Sequence, residues 1–163
     1  MKSKQNFLKV ASNPLKLQLF FLKKMPMGIL SGMRIKSIDS SHAKVTIPFN
    51  YLTKNPFQSV YFAVQTMAAE LSSGALAISE VMKAPKPVSM LVFQMDGNFT
   101  KKARSKVTFT CNDGKAIANA VQKTIETGEG ETVTITSTGT DEEGDVVSVF
   151  HFTWTFKVKS KSK

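Results

Sequence analysis

The residue of this sequence whose type and setting are most suited to catalysis is one carboxylate inside an otherwise apolar segment. Glu70 lies near the middle of the stretch Val60–Met82, in which the other strongly polar residues are Gln65 and Glu80. A charge buried without a partner is costly, so a function or a specific partner is expected here. The functional interpretation is a general base or a nucleophile. The alternative is a structural carboxylate, held by backbone donors or by a partner subunit.

The cysteine and the two histidines are weaker candidates for a catalytic or metal-binding role. Cys111 is the only cysteine, which excludes an intrachain disulfide and is compatible with a reducing, cytoplasmic location. Its alternating surroundings, residues 107–111, predict a buried and inert thiol. His42 and His151 show no ligand spacing and are expected at the surface or at a rim. We therefore expect neither a metal nor a cofactor.

The segment around Glu70 predicts a long helix, because it is rich in alanine and contains no proline. A helix that is apolar on every side is either a membrane span or the centre of a domain. A central carboxylate would be costly in lipid. The many Ala, Ser and Gly side chains also allow neighbouring backbone to approach closely. The prediction is a buried central helix and no membrane span.

The rest of the chain is predicted to form mainly strands, and no second domain is indicated. Asn13 and Pro14 predict an N-terminal helix to about Lys24. Residues 115–127 fit both a helical face and an alternation, and a helix is predicted. The expected fold is α+β, an antiparallel sheet around the central helix in one domain over residues 1–163, with flexible ends at 1–12 and 159–163. The predicted strand regions are a hairpin over Gly32–Phe49, strands over Val88–Phe99 and Lys106–Cys111, and a hairpin from Thr132 to Val158.

The chain is basic, with a formal net charge of +10 and a pI near 9.8, and much of the excess lies at its two ends. A basic surface raises the question of a polyanionic partner. No zinc-finger spacing, aromatic RNA-binding pair or glycine-rich phosphate loop is present, so no nucleic-acid partner is expected. A soluble basic surface explains the charge, and the phosphates of coenzyme A would also suit it.

A family resemblance rests on the stretch Pro48–Ala77, with Asn55, Tyr61-Phe62-Ala63, Ala69-Glu70-Leu71 and Gly74. This stretch resembles the DUF4442 branch of the hotdog thioesterase superfamily, and the predicted order of elements extends the resemblance over nearly the whole chain. The superfamily includes acyl-CoA thioesterases, acyl-carrier-protein dehydratases and non-catalytic members. The fold by itself therefore does not give the function.

The resemblance implies roles for three residues. Glu70 matches the acid on the central helix of hotdog thioesterases, which activates water or attacks the thioester carbonyl. The backbone N–H near Phe62, in the first turn of that helix, matches the oxyanion donor. Asn55 matches the amide side chain that positions the carbonyl or the water.

Four further residues are predicted to bind substrate. Tyr61 neighbours the oxyanion donor, and Ser73 follows Glu70 on the same helical face. Phe57 and Met67 are candidates for the lining of an acyl-chain tunnel, with core packing as the alternative for each residue.

Two hypotheses follow for the function. The first is an acyl-CoA thioesterase, with acyl-CoA or a related thioester as its ligand, acting as a homodimer or a dimer of dimers. The second is a non-catalytic hotdog protein that binds an acyl ligand or serves as a scaffold. Residues 58–62 contain neither the histidine nor the glycines of the His-Gly-Gly turn found in many relatives, which favours the second. The mid-helix carboxylate favours the first. A dehydratase is a weaker third option, because no His-plus-acid pair is evident.

Overall fold

The structure is a computed structural model, and it describes residues 23–160. From the first strand onward its elements follow the order predicted from the sequence, and a short helix that was not predicted, Pro26–Leu30, precedes them. In chain order they are α1 (Pro26–Leu30), β1 (Arg34–Ile38), β2 (Ala43–Ile47), α2 (Phe62–Lys83), β3 (Val88–Phe99), β4 (Val107–Cys111), α3 (Gly114–Thr127), β5 (Glu131–Thr140) and β6 (Val146–Val158).

The six strands form one antiparallel sheet in the order β1-β2-β4-β5-β6-β3. The longest pairing joins β3 to β6, from Val88 opposite Val158 to Phe99 opposite Ser148. Strands β1 and β3 form the two edges of the sheet. Within residues 23–160, β3 therefore has hydrogen-bonding partners on one side only.

Helix α2 is the centre of the fold and packs against every strand of the sheet. It begins after Tyr61 and ends before Pro85, as the sequence predicts, because prolines 85 and 87 cannot continue it. Small side chains such as Ala68, Ala69 and Ser72 are fully buried, which lets the sheet approach the helix. No helix among the described residues is long and apolar enough to cross a membrane.

Strand β6 supplies the large side chains of the core. The alternation in the sequence predicts one apolar, inward face over this strand, from Val146 through Phe150 to Val158. Phe150, Phe152, Trp154 and Phe156 are buried, as this pattern predicts. The prediction for Val146 is wrong: it is 42% exposed, whereas its neighbour at position 147 is buried. Gly139 pairs with Ser148 and Thr140 with Val146, so the residue between them is the extra residue of a β-bulge.

The ambiguous segment after the turn at Gly114 is helix α3, as predicted. It buries Ile117, Ala120, Val121 and Ile125, and it ends at Gly128, whose φ of 77° is the left-handed cap that glycine favours. The predicted N-terminal helix lies outside the described residues except for residues 23 and 24, which are helical. The predicted flexible ends lie outside them except for residues 159 and 160.

Candidate active site

A cavity of about 560 Å³ opens at the start of α2. The loop before the helix forms one wall, and residues 99–103, which begin at the last residue of β3, form the other. Four of the predicted site residues, Asn55, Phe57, Tyr61 and Phe62, line it. Of this group Asn55 is half-buried, whereas the three aromatic side chains are exposed.

The side-chain oxygen of Asn55 shapes the loop. Its Oδ1 accepts hydrogen bonds from the N–H of Phe57 at 3.0 Å and from the N–H and the hydroxyl of Ser59, both at 3.2 Å. Gln58, inside this turn, has a φ of 56°, a left-handed conformation that costs a residue with a side chain free energy. Within the described residues, Nδ2 of Asn55 makes no hydrogen bond. The amide therefore uses its acceptor for the loop, and its donor is unused within the described residues.

The backbone at the start of α2 has unused donors. Tyr61 is the N-cap residue, and no side chain caps the helix. Its carbonyl accepts the N–H groups of Val64 and Gln65 at 3.0 and 3.1 Å. No acceptor is present among residues 23–160 for the N–H groups of Phe62 and Ala63. They lie at the positive end of the helix dipole, which suits a developing negative charge on oxygen.

Gln65 is a cavity residue that sequence reasoning did not assign to the site. It is buried, and its Nε2 donates to the carbonyl of Val60 at 3.0 Å. Its Oε1 accepts the hydroxyl of Ser148 at 2.9 Å, which fixes the first turn of α2 to strand β6. The only sequence signal for Gln65 is a lone amide on an apolar helix, and one of its two partners, Ser148, is distant in sequence.

Glu70 lies two turns further along α2 and does not line the cavity. Its side chain is half-buried, and burial raises the pKa of its carboxyl above the ordinary glutamate value. A Cβ added at Gly74 would lie 3.0 Å from Oε1 of Glu70 and 3.5 Å from the Trp154 ring, so the carboxylate lies over a glycine and beside an indole. It has no hydrogen bond or ion pair with any described residue.

Ser73 and Met67 flank Glu70. Ser73 is fully buried, donates its hydroxyl to the Glu70 carbonyl at 3.0 Å and accepts the indole N–H of Trp154 at 3.1 Å. Met67 is half-buried and packs against the core. Neither lines the cavity. In one chain the seven predicted site residues therefore fall into two groups, one around the cavity and one around Glu70.

Other reactive groups are committed to structural contacts or buried. Burial raises the pKa of the Cys111 thiol to about 11, which keeps it protonated and unreactive. His42 pairs with Asp39 at 2.8 Å, and His151 pairs with Asp96 at 3.0 Å.

One acidic group of the described residues has the spacing to hold a metal ion, namely Asp141, Glu143 and Asp145. Its centre is taken by the ammonium of Lys101, whose Nζ lies 2.9, 3.0 and 2.6 Å from the three carboxylates in that order.

Solved bacterial proteins share this fold at low sequence identity. A Pseudomonas aeruginosa protein of unknown function, described as a probable thioesterase, is 20% identical with a TM-score of 0.76, over 90% of this chain and 97% of that chain. A Haemophilus influenzae thioesterase is 14% identical with a TM-score of 0.64, over 93% of this chain and 95% of that chain. A Staphylococcus aureus thioesterase is 14% identical with a TM-score of 0.58, over 82% of this chain and 99% of that chain.

These likenesses confirm the predicted α+β hotdog fold. No curated protein matches the chain in sequence. The DUF4442 family, described as a domain of unknown function, matches residues 16–156. The match spans the sheet and the central helix, and the chain, which has the hotdog fold, therefore belongs to the DUF4442 family.

Proposed function

We propose that the protein hydrolyses acyl-CoA thioesters, with Glu70 as the base or the nucleophile. The observation that carries the proposal is the Glu70 carboxylate itself, which is desolvated on the central helix and has no partner among the described residues. Partial burial of a carboxylate without a partner is costly, and a raised carboxyl pKa is typical of catalytic acids and bases. A thioester carbonyl and its attacking water would supply the missing partners.

The proposed reaction follows from the groups at hand. With Glu70 of one copy as base, it takes a proton from water and the water oxygen bonds to the thioester carbon. The N–H groups of Phe62 and Ala63 of a second copy stabilise the oxyanion. Collapse of this intermediate breaks the C–S bond, and the thiolate leaves and takes up the proton. With Glu70 as nucleophile, its oxygen bonds to the carbonyl carbon, and the C–S bond breaks as the thiolate leaves. Water then cleaves the resulting anhydride, which releases the carboxylic acid and regenerates Glu70. Asn55 would donate Nδ2–H to the carbonyl or orient the water.

A solved relative supports the pairing of these two side chains. Two structures of the Staphylococcus aureus thioesterase carry alanine substitutions, one at a glutamate and one at a glutamine fifteen positions before it. Asn55 and Glu70 have the same separation here, with the shorter amide in place of glutamine. The amide role that we propose for Asn55 agrees with this spacing.

The proposal includes a homodimer, because the two groups of site residues do not meet within one chain. Edge strand β3 has a free side and carries exposed apolar residues: Leu91 is 65% exposed, Phe93 69% and Met95 42%. An uncovered apolar edge of this kind favours pairing with a second strand. A second copy paired along β3 would cover this edge and the half-buried helix face of Glu70.

Oligomeric state in solution tests the homodimer. Light scattering at micromolar concentration should give the mass of a dimer or of a dimer of dimers. Phe93→Lys should shift the mass toward the monomer, and Ile29→Lys, at another exposed apolar side chain, should leave it unchanged. A monomeric natural protein would remove this part of the proposal. The proposed location is the cytoplasm, in keeping with the single buried thiol.

A panel of acyl-CoA substrates of increasing chain length, with detection of the free thiol, tests the activity. The natural protein should release CoA from at least one substrate, and Glu70→Gln should abolish release. Turnover that survives this substitution would rule out the proposed mechanism.

A second candidate is a protein that binds acyl thioesters without cleaving them. The observation in its favour is the bulky start of α2. The rings of Tyr61 and Phe62 lie 4.9 Å apart, and Phe62 lies 6.4 Å from Phe99, at the place where glycines let substrate approach in many relatives. Binding of acyl-CoA with no thiol release at any chain length would select this candidate.

A further inference from the structure

The cavity has a basic mouth that the proposed chemistry does not use. The sequence contains no acidic residue from position 40 to position 69, or from position 97 to position 112. These two segments supply the walls of the cavity. Within the first segment Lys54 forms a β-bridge with Val60, and the two segments meet where the N–H of Val60 donates to the Ala103 carbonyl at 2.8 Å.

The lysines of the second segment are not equivalent. Lys101 is neutralised by the three carboxylates around it, and Lys106 pairs with Glu142 at 2.6 Å. Lys102, which lines the cavity, has no acidic partner among the described residues, and Lys54 has none either. The acidic turn between β5 and β6 therefore leaves these two ammonium groups with their charge uncompensated.

Each of the two lysines lies over an exposed aromatic ring. Nζ of Lys102 is 6.0 Å from the centroid of Phe57, and Nζ of Lys54 is 5.3 Å from the centroid of Tyr51. Phe57 is 72% exposed and Tyr51 82%. Ammonium groups beside exposed rings suit a ligand that combines phosphates with a stacking base, since phosphate pairs with lysine and a purine stacks on an aromatic face.

We infer that this mouth binds the nucleotide end of coenzyme A, with Lys102 and Lys54 on its phosphates and Phe57 against the adenine. The inference rests on the proposed function and deepens it, because it names the thiol carrier. The same pocket would then discriminate against thioesters of pantetheine alone, which have no nucleotide. Phe57 would contact the carrier, whereas the sequence suggested an acyl-chain contact.

Binding of three thiols that differ only in the nucleotide tests the inference without any turnover. Coenzyme A, 3′-dephospho-coenzyme A and pantetheine are titrated into the full-length protein by calorimetry at low salt. Affinity should fall in that order, and Lys102→Ala should raise the Kd for coenzyme A roughly ten-fold, the loss expected for one charged hydrogen bond. Phe57→Ala should weaken the binding of coenzyme A and leave the affinity for pantetheine unchanged.

The matched control is Lys36→Ala, at an exposed lysine of strand β1, on the sheet edge opposite β3. It should leave all three Kd values unchanged. Equal affinity for the three thiols, or equal effects of the Lys102 and Lys36 substitutions, would overturn the inference.

The two proposals fail in different ways. Thiol binding in the expected order of affinity, with no hydrolysis of any thioester, would contradict the proposed function and support the nucleotide site. Glu70-dependent hydrolysis of acyl-CoA and acyl-pantetheine at equal kcat/KM would support the proposed function and contradict the nucleotide site. Absence of both thiol binding and hydrolysis would overturn both proposals.

Discussion

The carboxylate of Glu70 lies over the backbone of Gly74, one helical turn further along α2. An added Cβ at Gly74 would lie 3.0 Å from Oε1 of Glu70, which is tighter than ordinary van der Waals contact. Glycine in a helix interior costs about 1 kcal/mol relative to alanine, so this position gives up helix stability. The space that it leaves is the space the carboxylate occupies.

Gly74→Ala should therefore separate stability from activity. Alanine improves helix propensity by up to about 1 kcal/mol, and the carboxylate can yield because it is the flexible end of its side chain. Thermal unfolding should show an equal or higher midpoint. Thioester hydrolysis should fall roughly 100-fold, because a displaced catalytic group loses its alignment.

The control for that experiment is Ser79→Ala on the same helix. The Ser79 hydroxyl is buried and is the one buried side-chain polar atom of the described residues without a partner. Its removal should leave the activity unchanged and the stability unchanged or raised. Gly74→Ala with full activity would argue against a catalytic Glu70.

Glu70→Gln should stabilise the protein, and the gain should grow with pH. The folded-state pKa of Glu70 is raised above the ordinary 4.5 because burial penalises the charged form. Between these two values the folded state binds the extra proton, so stability falls as pH rises through the folded-state pKa. Denaturant unfolding should show similar stabilities for both proteins near pH 4, and a more stable variant at pH 8. A gap that closes as pH rises would contradict the burial of a charge.

The same shift predicts the pH dependence of the activity. If Glu70 acts when ionised, kcat/KM should fall on the acid side with an apparent pKa above the ordinary glutamate value. An acid limb at or below 4.5 would exclude Glu70 as the titrating group.

The amount that could be predicted from the sequence depended on whether a feature is local. The central helix and the position of Glu70 on it follow from composition and periodicity in one segment. The bulge at Val147 cannot be predicted in this way, because the sequence on either side of the extra residue still alternates plausibly. The neutralisation of Lys101 by a turn some forty positions away could not be read either, since it depends on how β3 and β6 pair.

The separation of the predicted site residues into a cavity group and a Glu70 group has a geometric cause that the residue types do not reveal. Spacing along α2 placed Phe62 and Glu70 near each other in sequence. The cavity wall is formed by the helix start and by residues 99–103, which are distant in sequence, and Glu70 projects from the half-buried side instead. Gln65 completes the cavity through Ser148, again a partner from a distant strand.

Lys101→Met should destabilise the turn between β5 and β6 in a manner that depends on salt and pH. The carboxylate oxygens of Asp141, Glu143 and Asp145 lie within 4.8 Å of one another, and they would repel once the ammonium is gone. Screening should shrink the difference from the natural protein at 1 M salt.

The pH dependence of this substitution has a definite sign. Lys101 lowers the pKa of Asp141 below 3.8, so its contribution is present above that value and is lost as pH falls through the folded-state pKa. Thermal unfolding at pH 7 and pH 2.5, each at low salt and at 1 M salt, measures the pH dependence and the salt dependence. An equal loss at both pH values and at both salt concentrations would point to lost packing of the lysine stem instead.

Two substitutions at Asn55 should separate its loop-shaping acceptor from its ligand-facing donor. Asn55→Asp keeps an oxygen for the Phe57 N–H and for the N–H and hydroxyl of Ser59, and it replaces the Nδ2 donor with a negatively charged oxygen. It should unfold near the natural midpoint and lose roughly 10- to 100-fold in kcat/KM, because a carboxylate repels the developing oxyanion. Asn55→Ala removes the acceptor as well and should lower the stability by about 1 kcal/mol, since the N–H and hydroxyl of the buried Ser59 lose their partner. Circular dichroism melting beside the thiol-release assay measures both. Full activity of the aspartate variant would confine Asn55 to the shape of the loop.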